Sequence, residues 1–137
     1  MKTKKQIVLE TIQFYGSDPA NRRSVNKING TQTCLYNGPG GKHCAFARYV
    51  KPELQPQLPE GESALIVLAR MPSCLLPEVS HLSSDKAFWQ SLQSFHDVNQ
   101  HWDPVQGLSE LGKAIVLIYL NLTQEDLDNI TFDTLPQ

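Results

Sequence analysis

The stretch Phe88–Asp103, FWQSLQSFHDVNQHWD, constrains the chain most, because it reads as a helix whose apolar stripe carries polar residues that a plain core helix would not choose. Wound at about 100° per residue, Phe88, Leu92 and Phe95 fall within roughly 60° of each other, with Trp89 on the flank. His96 and Asn99 share that arc. Gln93 and Asp97 fall outside it, so His96 and Asp97 are expected to diverge by about 100° and not to share a pocket. A helix that buries an imidazole and an amide needs hydrogen-bond partners for them, since an unsatisfied buried polar group costs about 1–3 kcal/mol. Those partners must come from elsewhere in the chain, and a site is expected where they do.

The rest of the chain organises around this helix. Lys2–Tyr15 places Val8, Ile12 and Tyr15 at helical spacing and closes on Gly16, which is expected to act as a left-handed C-cap. Asp18-Pro19 offers an N-cap followed by proline at the first helical position, which predicts a short turn over Pro19–Ser24 that presents Arg22 and Arg23. Gly30–Tyr36 and His43–Val50 flank the turn-rich Asn37–Gly41, which demands positive φ. A hairpin fits, although the second arm equally begins a helix at Cys44. Three prolines make Lys51–Gly61 a loop, Ala64–Ala69 reads as a short buried strand, and Met71–Ser84 is irregular. Asp103-Pro104 breaks the central helix, after which Ser109 caps a helix with Leu111, Ile115, Ile118 and Leu122 as its stripe. Thr123 with Asp126 caps a last short helix, Gln124–Ile130. The expected fold class is α+β. Residues 1–137 form a single small domain, with N- and C-terminal helices packed on a small central β-hairpin or sheet.

Composition bounds the function. The chain has 137 residues, 40% apolar and 19% charged, which suits one ordinary domain with a real core. Glu10, Thr11 and Gln13 interrupt the apolar run at the start, so no signal-peptide core is expected there. The longest apolar runs, Ala114–Leu120 and Ala64–Ala69, fall far short of the ~20 residues of a membrane span. A cytoplasmic protein with no membrane association is expected. There Cys34, Cys44 and Cys74 read as three free thiols, and the sequons at Asn29, Asn121 and Asn129 are incidental. Charge is uneven: residues 1–51 hold nine Lys/Arg against Glu10 and Asp18, while residues 52–137 hold three against twelve Asp/Glu. In one reading the halves fold together and their fields cancel. In the other, Arg22, Arg23, Lys27, Lys42 and Arg48 converge on one face and receive phosphates or an acidic partner. Duplex DNA is disfavoured, because the acidic half would repel the backbone that the basic half attracts.

Several chemistries can be weighed on spacing. Cys34 and Cys44 are not at a zinc-knuckle spacing and no second close pair exists, so no metal and no cofactor is expected. A phosphate loop fails, because it would need Gly where Tyr36 stands and Ser or Thr where His43 stands. The glycine-rich turn still offers backbone amides for an anion beside Lys42 and Arg48. A cysteine-dependent hydrolase would use Cys44 as nucleophile at the start of a helix and His96 as base. Against it, Asp97 is expected to face away from His96 and so could not orient it. His96 otherwise reads as a core histidine bonded to backbone or to Tyr36, and Trp89 and Trp102 as packing residues.

Finally, RRSVNKINGTQTCLYNGPGGKHCAFARYV together with FWQSLQSFHDVNQHWDPVQGLSELGKAIV resembles a family of small, functionally unassigned proteins of tailed phages and bacteria. Its pattern is Cys-x-Tyr, Gly-x-x-Cys-Ala, Leu-Gln-x-x-His-Asp and Trp. The matching positions include Arg22, Arg23, Cys34, Tyr36, Gly41, Cys44, Arg48, Leu92, Gln93, His96, Asp97, Trp102, Gly107 and Gly112; Ala47 stands where the family often has Gly. The resemblance implies a viral setting, in the host cytoplasm, and no particular chemistry. Basic first third and polar-lined helix together predict a phage-type binding protein that captures a small anionic, nucleotide-like ligand or an acidic surface of a host factor, to counter host defence. The expected ligand-binding residues are Arg22, Arg23, Tyr36, Lys42, Arg48, Gln93, His96 and Asp97. His96 is expected to form the floor of the site and the Cys34–Arg48 segment its wall, with Gly38–Lys42 and Tyr36 against the imidazole.

Overall fold

The computed structural model describes residues 1–28 and 31–132, with the backbone alone at 26–28 and 31–33. Helix α1 (Lys4–Gly16) begins with a capping box: Thr3 Oγ1 accepts from Gln6 N at 3.1 Å, and Thr3 N donates to Gln6 Oε1 at 2.8 Å. It buries Ile7, Val8, Ile12 and Tyr15 along one stripe. Gly16 does not take the left-handed conformation expected of it; the following Ser17 is still right-handed, at φ −67. Its missing side chain serves packing instead, since a Cβ there would press on Phe132 and lie 3.4 Å from Gly107 Cα. The short α2 (Pro19–Arg22) starts with proline as expected, but Asp18 bonds to Asn21 Nδ2 at 2.8 Å rather than capping the backbone.

The fold class is α+β. Strand β1 (Val25–Ile28) pairs antiparallel with β2 (Thr31–Cys34), Val25 opposite Cys34 and Ile28 opposite Thr31. This hairpin lies earlier than the glycine-rich segment suggested; Gly30 and the sequon at Asn29 fall outside the described residues. Asn37–Gly41 does supply the positive φ it demands, +74 at Gly40 and +76 at Gly41, but turns back on itself through a lone Gly38–Lys42 bridge. After it comes a turn: Arg48 N donates to Cys44 O at 3.1 Å and a 3₁₀ turn covers Ala47–Tyr49. The second arm is thus neither a strand nor a helix that opens at Cys44.

Ala64–Ala69 is not a strand. Helix α3 (Ala64–Arg70) buries Ala64, Val67 and Leu68 and exposes Leu65 and Ile66, a period of 3.6 that a six-residue apolar run conceals. Ser63 Oγ caps it by accepting from Ile66 N at 3.3 Å. The central helix α4 (Lys86–Asp97) starts two residues earlier than expected, with Asp85 as N-cap, and ends six residues earlier. Its buried face is Trp89, Leu92, Gln93, Phe95 and His96, so Gln93 belongs to the core and Asn99, beyond the helix, is exposed. A 3₁₀ turn (Asn99–His101) leads to a second antiparallel pair, β3 (Trp102–Asp103) with β4 (Gly107–Leu108). Asp103 Oδ1 accepts from Val105 N at 2.8 Å and Gln106 N at 2.7 Å, and Gly107 closes the turn at φ +86.

Helix α5 (Glu110–Tyr119) has the expected cap, Ser109 Oγ accepting from Gly112 N at 3.0 Å. Its expected stripe holds in part: Leu122 is buried and Ile115 packs on the core, whereas Leu111 and Ile118 are exposed and Gly112 and Val116 are buried in their place. Both phases satisfy a 3.6 period in so apolar a helix, and the close approach at Gly112 decides between them. Helix α6 (Gln124–Asp128) carries the Thr123/Asp126 capping box and stops short of Ile130. One contiguous core, from Ile7 to Leu122, joins α1, α3, α4, α5 and the turns between them. Among the described residues no helix is long and apolar enough to cross a membrane.

Candidate functional site

The polar residues of α4 find their partners at the C-terminal end of the helix. His96 is fully buried, its Nε2 accepting from Ser24 N at 3.3 Å. The proton therefore sits on Nδ1, which donates to Asp97 Oδ1 at 2.9 Å. Asp97 was expected to face away; because the helix stops there, with Val98 already extended at ψ 116, its side chain is free to fold back onto the neighbouring ring. Gln93 Nε2 donates to the same carboxylate oxygen at 2.7 Å, and Gln93 Oε1 accepts from Phe46 N at 3.0 Å. A chain of hydrogen bonds thus runs from the Cys44–Tyr49 turn through α4 to the start of the hairpin. The ring of Tyr15 stands edge-on to His96 at 4.5 Å. Burial pushes the imidazole pKa down and outweighs the Asp97 carboxylate, which pulls the other way. His96 is held neutral.

Arg23 ends the helix. It is 6% exposed, and its Nε donates to His96 O at 2.9 Å, its Nη2 to Asp97 O at 2.6 Å and its Nη1 to Asn99 Oδ1 at 3.2 Å. Trp102 Nε1 also donates to His96 O, at 3.1 Å. The terminal carbonyls of α4 are thereby met by a planar cationic fork favoured by the helix dipole. Arg23 is part of the scaffold in this geometry. Arg23→Lys should cost about 2 kcal/mol in a denaturant melt, since an ammonium keeps the charge but loses the fork; an unchanged midpoint would show that the fork does not matter.

The remaining expected residues divide between two faces. Tyr36 is buried, its N–H held by Glu60 Oε1 at 2.7 Å, its hydroxyl donating to the Glu62 carbonyl and its own carbonyl bonded to His43 Nδ1 at 3.1 Å. With Gln93 and Asp97 it lines a cleft of about 520 Å³ whose other walls include Cys34, Glu60 and Glu62. That cleft is acidic. Lys42 is half-buried at the glycine turn, and the side chain of Lys27 lies outside the described residues. The Gly38–Lys42 segment does not satisfy His96; Gly38 packs on Ser24, and it is Ser24 that reaches the ring. Cys44, the nucleophile of a hydrolase, is fully buried, and both ring nitrogens of His96 are already engaged.

Arg22 and Arg48 meet at Phe14. The Arg48 guanidinium carbon lies 3.8 Å from the Phe14 ring centroid and that of Arg22 4.5 Å from it. Arg48 also stands 5.6 Å from the Tyr15 centroid, so with His96 4.5 Å from the same ring the two groups lie within about 10 Å of each other. Arg22 Nη1 donates to Phe14 O at 3.0 Å. Arg48 is half-buried and differs from Arg23: among the described residues its buried Nη1 has no hydrogen-bond partner and no carboxylate pairs with it. It opens on a cleft of about 340 Å³ together with Lys2, Glu10, Gln13 and Phe14. Glu10 is occupied there, by Lys2 at 2.9 Å and by the Tyr49 hydroxyl at 2.8 Å.

No family model, no curated protein and no solved structure matches the chain. The site is accordingly read from its geometry. Phe14, Tyr15 and Ser24 were not anticipated as site residues, although Tyr15 was expected on the apolar stripe of its helix. Ser24 contributes a backbone N–H, which no side-chain pattern announces. Phe14 lies off the apolar stripe of α1, and an aromatic residue displaced to a helix flank next to arginines is the signal that would have found it.

Proposed function

We propose that this is a binding protein for a small anionic, nucleotide-like ligand, in the phage setting that its motifs suggest, and that Arg48 is the residue that receives the anion. The observation that carries this reading is Arg48, which lines the cleft and whose Nη1 has no hydrogen-bond partner among the described residues. A buried donor without a partner is costly, and a charged one more so. A phosphate or carboxylate would take the fork bidentately, with Arg22 on the same Phe14 ring adding a second positive charge. Cys44 and His96, on which a hydrolase would depend, are both sealed from solvent, so capture is favoured over turnover.

Calorimetric titration with inorganic phosphate and a panel of mononucleotides tests the reading. At least one of these should bind, and Arg48→Ala should weaken it tenfold or more, which corresponds to about 1.4 kcal/mol. The same variant should melt close to the wild type, because the lost ring contact is worth only about 0.5–1 kcal/mol and the stranded donor disappears with it. Failure of every anion to bind at millimolar concentration, or equal binding by Arg48→Ala, overturns it.

A further inference from the structure

A second groove, between α4 and α5, shares no residue with the Arg48 cleft. Gly112 holds the start of α5 against the His101 carbonyl, and beyond that contact the two helices leave a groove of about 350 Å³. Phe95, Val98, Ile115 and Leu120 form its walls, with Tyr119 exposed at the edge. Among the described residues no Lys, Arg, Asp or Glu lines it, so a charged ligand is not what it suits. One polar ring lies among these apolar walls. His101 is 7% exposed and stacks on Phe95, with centroids 5.3 Å and planes 18° apart. Its Nδ1 lies 2.8 Å from Phe95 O, and since a carbonyl can only accept, Nδ1 carries a proton. In the neutral ring Nε2 is then an acceptor, and among the described residues it meets no donor. Both nitrogens of His96 are engaged, whereas His101 keeps one for the groove that its ring lines.

We propose that this groove binds a small fused-ring aromatic molecule carrying one N–H or O–H donor, which His101 Nε2 accepts. The volume lies near the lower end of the range for small-molecule sites, about 300–1,000 Å³, which suits a ligand of one or two rings. Its faces pack on Phe95, Val98 and Ile115, and the apolar area buried there supplies most of the affinity. The donor on its edge meets Nε2 and fixes the orientation. A purely apolar ring of the same size buries the same area but strands the imidazole lone pair. Discrimination between two such rings is therefore the signature of the site, more than affinity alone. The Phe95 carbonyl holds the proton on Nδ1 before any ligand arrives, so the acceptor needs no rearrangement on binding.

The test compares indole with benzofuran, near-isosteres that differ in the N–H, by NMR titration of the full chain in alkaline buffer, where an ordinary imidazole is neutral. Indole should bind at millimolar concentration or below, about fivefold more tightly than benzofuran, as one neutral hydrogen bond implies. Its addition should move the His101 ring-nitrogen resonance and give intermolecular NOEs to Phe95, Val98 and Ile115. His101→Phe keeps a ring on Phe95 without the acceptor and should bind the two compounds equally. Val98→Asp, at an exposed position that leaves the fold intact, should weaken both severalfold by placing a charge in the apolar wall. No binding of indole at millimolar concentration, equal affinities on the wild type, an unmoved His101 resonance, discrimination retained by His101→Phe, undiminished binding by Val98→Asp, or a dimer that covers the groove and excludes indole overturns the proposal.

Discussion

Replacing His96 by alanine should destabilise the protein by about 4 kcal/mol, read as a lower denaturant midpoint at unchanged slope. The ring is fully buried, so its removal leaves a cavity walled by Tyr15 and Gln93. Large-to-small changes in a core cost about 2–5 kcal/mol. The Ser24 N–H loses its acceptor, and the Asp97 side chain loses a donor. A loss below about 1 kcal/mol would mean that water replaces the ring, and that the network does not hold the hairpin to α4. The same residue gives a pH dependence. The unfolded imidazole takes a proton near pH 6.5, while burial keeps the folded one neutral to lower pH. The unfolded state thus binds more protons, and stability should fall as pH drops from 6.5 toward the depressed native value. The lowered carboxylate of Asp85 acts only below its ordinary pKa of 3.8, so the two windows are distinct. His96→Gln should flatten the upper window and leave the lower one.

Gly112→Ala should cost about 3 kcal/mol, although alanine in place of a helical glycine ordinarily gains about 1 kcal/mol. A Cβ at Gly112 would overlap the His101 carbonyl oxygen and sit 2.9 Å from its carbon. Both are backbone atoms, and that carbonyl already accepts from Ser109 N at 3.0 Å, so neither can step aside alone. Helix α5 must therefore lift from the Asn99–His101 turn. The shift reaches the site, because the His101 ring stacks on Phe95 and Trp102 donates to His96 O. Thermal melts decide the sign: a variant as stable as the wild type would show that α5 slides freely on the turn.

Much of the helical framework was legible. Ser109 and Thr123 were expected as caps, each bonding the third residue of the run it precedes, and short-range bonds of that kind depend on spacing alone; Thr3 caps α1 in the same way but was not singled out. The hairpin was misplaced because Asn37–Gly41 has more turn residues than Asn29-Gly30, the tighter two-residue signal that separates β1 from β2. Ala64–Ala69 was read as a strand because six apolar residues show no period. The phase of α5 was missed because Leu111 and Ile118 are as apolar as Val116. In each case pattern was ambiguous and packing chose.

By itself the sequence determined that α4 buries polar groups, that lysines and arginines crowd residues 1–51 and that a glycine turn with positive φ lies between the two cysteines Cys34 and Cys44. Only the tertiary structure decided what those groups meet. Arg23 and Arg48 have the same side chain, yet one is consumed by the carbonyls of His96 and Asp97 while the other keeps a nitrogen beside Phe14 that has no partner among the described residues. The physical reason is range: a cap or a stripe is settled within one helical turn of its own residues. The partner of a buried imidazole or guanidinium is a backbone N–H or C=O brought back from some seventy residues away, and backbone groups look alike in every sequence.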